Sequence, residues 1–184
     1  TEQDAQKTDA LSQETGINPI LCRLLIDRGV TTAEEAKRFF RPSLTDLHDP
    51  FLMDGMDAAV ERINQALGRK ERILVYGDYD VDGTTAVALV YRFLGQFTTN
   101  IDYYIPNRYN DGYGVSFKGV DYAKETGVKL VIVLDCGVKA VNEIAYAKEL
   151  GIDFIVCDHH MQDEVLPPAV AILNPKLIGS NYPY

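Results

Sequence analysis

Short apolar runs alternate with helix-sized segments from about residue 73 onward. The runs are rich in β-branched residues and have the length of strands, and they lie at 73–76, 101–105, 130–134, 154–157 and 170–173. The helix-sized segments between them lie at 84–96, 116–127 and 139–150. Continuous apolar strands separated by helices predict an α/β fold, with a parallel five-stranded sheet and helices on both faces.

The first part of the chain carries a helical pattern instead. An apolar-periodic stretch through Ile20, Leu24 and Leu25 predicts one short helix, and a second is predicted to end near residues 39–40, before a proline. A further amphipathic helix is predicted over about 54–70. These elements indicate a small helical segment that precedes the sheet.

The length of 184 residues, 46% of them apolar, fits one main domain with a small attachment. We predict a helical N-terminal segment over residues 1–50 and the α/β domain over residues 51–184. The chain starts at Thr1 rather than at a methionine, and it stops at Tyr184 directly after a loop-like stretch. We therefore expect an N-terminal fragment of a longer protein, with the α/β domain incomplete at its C-terminal end.

Charge and cysteine usage narrow the class of protein. A net charge of −9 is unusual for a nucleic-acid binder, so any basic groove must be local or lie elsewhere. Cys22, Cys136 and Cys157 show neither a disulfide framework nor the CxxC spacing of zinc sites, so we expect free thiols and a cytoplasmic protein. No leader and no apolar run near the roughly 20 residues of a membrane span is present, so we expect no membrane association.

Acidic and imidazole side chains follow three of the predicted strands. Carboxylates brought to one edge of a sheet repel one another and lose solvation, so their convergence calls for a cation. Oxygen ligands with imidazoles suit Mn²⁺ or Mg²⁺, and two such ions would suit hydrolysis of a phosphodiester or phosphoanhydride. The residues, in chain order, are Asp78, Asp80, Asp82, Asp135, Asp158, His159 and His160.

Each motif also has an ordinary structural interpretation. The segment 78–83 alone fits a turn or a calcium-like loop, Asp135 fits a helix cap, and the histidine pair fits an incidental surface feature. Only their combination at the same end of several strands favours a metal site. His48 lies in the polar lead-in and is interpreted as structural or solvated.

The motifs, in this order and each after a strand, resemble those of the DHH phosphoesterase superfamily and, more closely, its RecJ-type exonucleases. The resemblance covers nearly the whole chain. The strings that carry it are RFFRPSLTDLHDPFLMDGMDAAVERI at 38–63, GDYDVDGTTA at 77–86, IPNRYNDGYG at 105–114, VIVLDCG at 131–137 and DHH at 158–160.

This resemblance implies metal-dependent 5′ to 3′ hydrolysis of single-stranded DNA in DNA repair and recombination, with helicases or single-strand-binding proteins as partners. The family's DHH-associated and oligonucleotide-binding domains are expected outside this chain, together with much of the basic DNA-binding surface. Two alternatives stay open. One is a DHH phosphoesterase of short oligonucleotides, cyclic dinucleotides or pyrophosphate, and the other is a non-catalytic scaffold of the same fold.

The resemblance also implies roles for individual residues. Metal ligation is implied for four of them, Asp80, Asp82, Asp135 and His159. Asp158 is expected to orient a histidine, His160 to stabilise charge or donate a proton near the scissile phosphate, and Asp78 to be an auxiliary ligand or orienting group. Arg108 is expected to contact phosphate and Tyr113 to stack on a base.

Two positions depart from the superfamily pattern. Tyr76 stands where many members have a histidine, which argues against a pyrophosphatase-type metal site and favours the exonuclease branch. Asp111 stands where the RecJ-type proteins often have glutamate.

Overall fold

The computed structural model describes residues 2–109 and 111–183, with the backbone alone for residues 2–4. Two compact units divide the chain, Thr1–Asp49 and Pro50–Tyr184. In the residues so described, no helix is both long enough and apolar enough to span a bilayer.

The first unit is helical. Its helices are α1 (Glu2–Thr15), α2 (Pro19–Ile26) and α3 (Ala33–Phe40), followed by a 3₁₀ turn at Leu44–Asp46. The small core of this unit contains Cys22 and Leu25 of α2. Of the apolar positions that marked this helix in the sequence only Leu25 is buried, because Ile20 and Leu24 lie on the outward face with 73% and 48% of their surface exposed.

The second unit begins with a 3₁₀ turn at Pro50–Leu52 and helix α4 (Met56–Gly68) and continues into the sheet. The strands are β1 (Arg72–Gly77), β2 (Ile101–Tyr104), β3 (Val128–Leu134), β4 (Asp153–Cys157) and β5 (Ala171–Leu173). All neighbouring strands run parallel in the order β2-β1-β3-β4-β5. The predicted parallel five-stranded sheet is confirmed.

Helices cover both faces of this sheet. The three that connect strands are α5 (Val81–Leu94), α6 (Phe117–Glu125) and α7 (Val141–Glu149). Because side chains alternate along a strand, Val131 and Val133 pack with α6 and α7, whereas Val75 and Ile132 pack with α4 and α5. The α/β architecture with two helical layers therefore follows from continuously apolar strands.

One element boundary differs from the prediction in a way that matters for the site. Helix α5, predicted from residue 84, begins at Val81, because the Asp80 Oδ1 atom accepts a hydrogen bond from the Gly83 N–H at 3.0 Å and caps the helix. Asp82 therefore lies in the first helical turn rather than in a loop.

The strand order places the three motif-bearing strands side by side. Strand β2 follows β1 in sequence but pairs on its outer side, so that β1 is left next to β3, and β3 next to β4. The direction of strand addition reverses between β1 and β3, and ligands of such sheets bind beyond the carboxyl ends at this point. The carboxyl ends of β1, β3 and β4 consequently form one rim.

Candidate metal centre

The first motif turns sharply from β1 into α5. Asp78 follows the strand directly and is 1% exposed. A Cβ atom on Gly83 would lie 2.5 Å from the Asp78 carbonyl oxygen, so only glycine permits this close passage of helix over strand end. Among the described residues, the Asp78 Oδ1 atom is buried without a hydrogen-bond partner. Such an atom is costly unless a further group satisfies it.

The second motif places Asp135 in a rarely used backbone conformation. Its φ angle is +59°. Among the described non-glycine residues, only Lys70 also has a positive φ angle. Its N–H donates to the Cys157 carbonyl at 2.9 Å, which ties the turn after β3 to the end of β4. The helix-cap interpretation of Asp135 is wrong, since the cap of α7 is Ala140. A strained residue at a strand end of this kind is typical of a functional site.

The third motif is organised by the buried carboxylate of Asp158. Its Oδ2 atom accepts the Val138 N–H at 2.9 Å, and Oδ1 accepts the N–H of His159 at 2.7 Å and that of His160 at 3.0 Å. Burial alone would raise the pKa of Asp158, but these hydrogen bonds hold it below its ordinary value. The group is therefore ionised at neutral pH.

Asp158 also orients one imidazole. The Nδ1 atom of His160 lies 2.7 Å from Asp158 Oδ1. An ionised carboxylate can only accept, so Nδ1 carries the hydrogen in this pair. The Nε2 atom of His160 is left to face the Tyr113 hydroxyl, at 3.3 Å.

The three motifs meet at His159. Its Nε2 atom lies 2.9 Å from Asp135 Oδ1 and 3.6 Å from Asp82 Oδ2. One potential ligand atom each of Asp135, His159 and His160 lies within 4.8 Å of the others. His160, expected beside the phosphate, thus also lies within reach of a metal ion. Asp78, Asp80 and Asp82 stand outside this group of three, and Asp82 approaches it through its 3.6 Å contact with His159.

The charges at the rim fit a divalent cation. Burial raises the pKa of Asp135 above its ordinary value, and the charges of Asp82 and Asp80 raise it further, against a lowering hydrogen bond from His159. A bound cation would reverse this repulsion and satisfy the buried Asp78 oxygen if that side chain turned toward it. Carboxylate oxygens joined by imidazole nitrogens are the donor set of Mn²⁺ or Mg²⁺ rather than of structural zinc.

The segment between β2 and α6 approaches the same rim. Besides the contact of Tyr113 with His160, the Arg108 guanidinium lies 5.5 Å from the centre of the Tyr79 ring. Arg108 and Tyr113 are both exposed, with residue 110 of the IPNRYNDGYG string outside the described residues. Tyr79 was not singled out from the sequence, although its position between Asp78 and Asp80 is a signal for it.

Tyr76 does not reach the rim; its buried side chain contacts the 105–114 segment instead. Its ring is 1% exposed and stacks on Tyr104 at 5.1 Å, and its hydroxyl donates to the Gly114 carbonyl at 2.8 Å. The residue that replaces a superfamily histidine therefore fixes the end of the 105–114 segment.

Asp111 holds the middle of the 105–114 segment. Its side chain is only 3% exposed and accepts hydrogen bonds from the Asn107 N–H at 2.8 Å, the Tyr104 hydroxyl at 3.1 Å and the Lys118 ammonium at 2.7 Å. The Lys118 and Asn107 hydrogen bonds keep the pKa of Asp111 below its ordinary value of 3.8.

We expect Asp111→Asn to lower the free energy of unfolding at neutral pH by about 1–2 kcal/mol, because all three donors lose an ionised acceptor. A depressed folded pKa gives stability that is present above pH 3.8 and lost as the pH falls through the folded value. Melting curves should therefore separate the variant from the parent at pH 7, and the separation should shrink as the pH falls from 3.8 through the lower folded pKa. Glu125→Gln, an exposed position on the same helix as Lys118, is the control and should change little; equal effects of the two would contradict the role given to Asp111.

Comparisons with known proteins agree with this geometry. The model of the DHH family, N-terminal domain, matches residues 72–181. The single-stranded-DNA-specific exonuclease RecJ of Bacillus subtilis is 41% identical over 181 residues, which cover 98% of this chain and 23% of that protein. RecJ of Escherichia coli is 40% identical over 168 residues, which cover 90% and 28%. The chain thus spans about a quarter of the length of these curated relatives.

Two solved structures are similar as well. A crystal structure of exonuclease RecJ bound to manganese superposes with a TM-score of 0.66 at 32% identity, over 72% of this chain and 34% of that one. RecJ of Thermus thermophilus in complex with Mn²⁺ superposes with a TM-score of 0.71 at 25% identity, over 92% and 23%.

Proposed function

Since the chain belongs to the DHH family, we propose that it carries the hydrolytic centre of a metal-dependent exonuclease specific for single-stranded DNA. The observation that carries the proposal is the convergence of Asp82, Asp135 and His159 from three neighbouring strand ends. The intact acids and imidazoles of all three motifs favour a catalytic protein over a scaffold of the same fold. Polarity from 5′ to 3′ is part of the proposal by resemblance to RecJ.

Asp80, Asp82, Asp135 and His159 are the proposed ligands, with Asp78 as an auxiliary group. Two Mn²⁺ or Mg²⁺ ions bound there would supply an activated water and offset the charge of the phosphodiester. The manganese in the similar RecJ structures supports this choice of metal.

The remaining residues act around the phosphodiester. Asp158 fixes the ring of His160 through Nδ1, so the opposite nitrogen faces outward, where a phosphate oxygen or a leaving oxygen would lie. A proton held at that Nε2 atom is positioned to reach the leaving oxygen. Arg108 is the proposed phosphate contact and Tyr113 the stacking residue, because both are exposed beside the rim.

The proposal includes a role in DNA repair and recombination, because these processes expose single-stranded ends. It includes contacts with helicases or single-strand-binding proteins, which produce and coat such ends. The unpaired thiols of Cys22, Cys136 and Cys157, confirmed by the structure, support a reducing cytoplasm as its location.

The test is hydrolysis of three substrates by the protein at its full natural length, with Mn²⁺, Mg²⁺ or a chelator. They are a long single strand labelled at one end or the other, the matching blunt duplex, and pyrophosphate. We expect metal-dependent loss of the single strand alone, with the 5′ label released first. Consumption of pyrophosphate or very short oligonucleotides alone would move the chain to the small-molecule branch of the superfamily, and tight Mn²⁺ binding without any hydrolysis would favour the scaffold.

A further inference from the structure

A groove with a volume of about 350 Å³ lies wholly within the helical first unit. One of its walls is helix α3, and the other is the turn between α1 and α2. The small side chains of Ala33 and Ala36 on α3 leave this space open. The metal centre uses none of the residues that line the groove.

The wall formed by the turn between α1 and α2 has its polar groups already engaged. The Thr15 hydroxyl donates to the Leu11 carbonyl at 2.6 Å and accepts the Ile17 N–H at 3.2 Å. The Ile17 carbonyl in turn accepts the Ser12 hydroxyl at 2.7 Å. This wall therefore presents mainly the apolar side chain of Ile17 to a ligand.

The wall formed by α3 carries two cations, Lys37 and Arg41. They lie one helical turn apart, since the Arg41 N–H donates to the Lys37 carbonyl. Both are exposed, and within the part of the chain that the structure describes neither has an ion-pair partner. The nearby carboxylate of Glu35 is bound to the backbone N–H groups at the start of α3. The groove consequently offers two unpaired positive charges, which suit an anionic ligand.

An aromatic ring lies beside these cations. Phe40 lines the groove and has 52% of its surface exposed. Single-stranded nucleic acid is held by this combination, because bases stack on aromatic rings while cations bind the phosphates. A duplex hides the faces of its bases, and an acidic peptide would use the cations without the ring. The positive charge is local, since the whole chain carries a net charge of −9.

We propose that this groove, the α3 groove, is a second contact for single-stranded DNA. Phe40 stacks on a base, and Lys37 and Arg41 bind the neighbouring phosphates. The inference rests on the proposed function and adds to it a hold on the strand through residues that take no part in the metal centre. Such a hold keeps a long strand bound between successive cleavage steps.

The test measures the affinity of the protein at its full natural length for a long labelled single strand, with a chelator present to prevent hydrolysis. Replacing Lys37 and Arg41 together with glutamine should reduce the slope of log affinity against log salt concentration by about 1.4, since each phosphate contact of a single strand contributes about 0.7. Phe40→Ala should weaken binding at least about fivefold without changing this slope, and Phe40→Trp should restore the affinity.

The matched control is Lys7→Gln combined with Arg28→Gln, which removes two exposed cations of the same unit outside the groove. This control should leave the salt slope nearly unchanged, and Phe40→Ala should not affect the binding of a blunt duplex. An equal change of slope in the control would overturn the proposal. A loss of affinity in the charge variant with none in Phe40→Ala would also overturn it, because an acidic peptide or general attraction of charge then explains the groove.

The binding measurement does not depend on hydrolysis, so the two proposals can fail separately. Binding through the α3 groove without any cleavage after Mn²⁺ is added would reject the proposed function alone. Cleavage of single strands by a protein whose affinity ignores all the groove substitutions would reject the α3 groove alone.

Discussion

Replacing Asp135 with alanine is expected to abolish hydrolysis of single-stranded DNA. Asp135 is the carboxylate that lies with His159 and His160 in the cluster of potential ligands. Its Oδ1 atom lies 2.9 Å from His159 Nε2, and Asp82 Oδ2 lies 3.6 Å from the same nitrogen. Loss of a ligand common to the centre should remove several kcal/mol of transition-state stabilisation, or about 10³-fold in rate. The measurement is the initial rate on a labelled single strand with saturating Mn²⁺.

Asp135→Asn separates chemistry from folding. Asparagine tolerates the left-handed backbone at this position better than alanine does, so this variant should keep the native fold. The repulsion by Asp80 and Asp82 disappears with the charge, so its melting temperature without metal should equal or exceed that of the parent. Added Mn²⁺ should raise the melting temperature of the parent and leave this variant unchanged. Asp121→Ala is the control for activity; near-normal cleavage by either Asp135 variant would contradict the metal assignment.

Replacing Gly83 with alanine is expected to lower the free energy of unfolding by about 3 kcal/mol or more. The added methyl would lie 2.5 Å from the Asp78 carbonyl oxygen and 2.6 Å from its nitrogen. These are backbone atoms at the end of β1, so neither can rotate away, and α5 must move off the sheet. Urea unfolding followed by circular dichroism measures the loss.

Gly68→Ala supplies the matched control for this substitution. Gly68 is also helical, in the last turn of α4, and a Cβ atom there meets nothing within 4 Å. The same chemical change should leave stability unchanged or raise it by up to about 1 kcal/mol, because alanine favours the helix. Similar losses of stability at the two positions would show that the close contact with the Asp78 backbone does not restrict residue 83 to glycine.

The parts of the fold that depend on local pattern were predictable. The five strands, their parallel pairing and the convergence of the three motifs followed from continuous apolar runs and from what came after each run. The start of α5 was predicted three residues late, because Asp80 was interpreted only as a ligand although its side chain also caps the helix. One residue type can serve both purposes, and spacing alone does not separate them.

Other features of the site depend on contacts between distant segments and have no sequence pattern. The left-handed turn at Asp135 is held by a hydrogen bond to the Cys157 carbonyl, and the hydrogen bond from Tyr76 to Gly114 joins positions 38 residues apart. Asp111 likewise gained its role from Lys118 and Tyr104, which helical and strand periodicity cannot bring together.

The neighbouring positions of β1, β3 and β4 would let a metal ion bound at their carboxyl ends stabilise the folded state of the sheet. An ion shared by Asp82, Asp135 and His159 would join segments that are far apart in sequence, and it would have to leave before any of the three strands could separate. At a free-ion concentration a hundredfold above Kd, this linkage adds about 2.7 kcal/mol to the free energy of unfolding. Scarcity of the metal would then shorten the lifetime of the folded protein as well as slow its catalysis, so that the amount of protein follows the supply of the ion it uses.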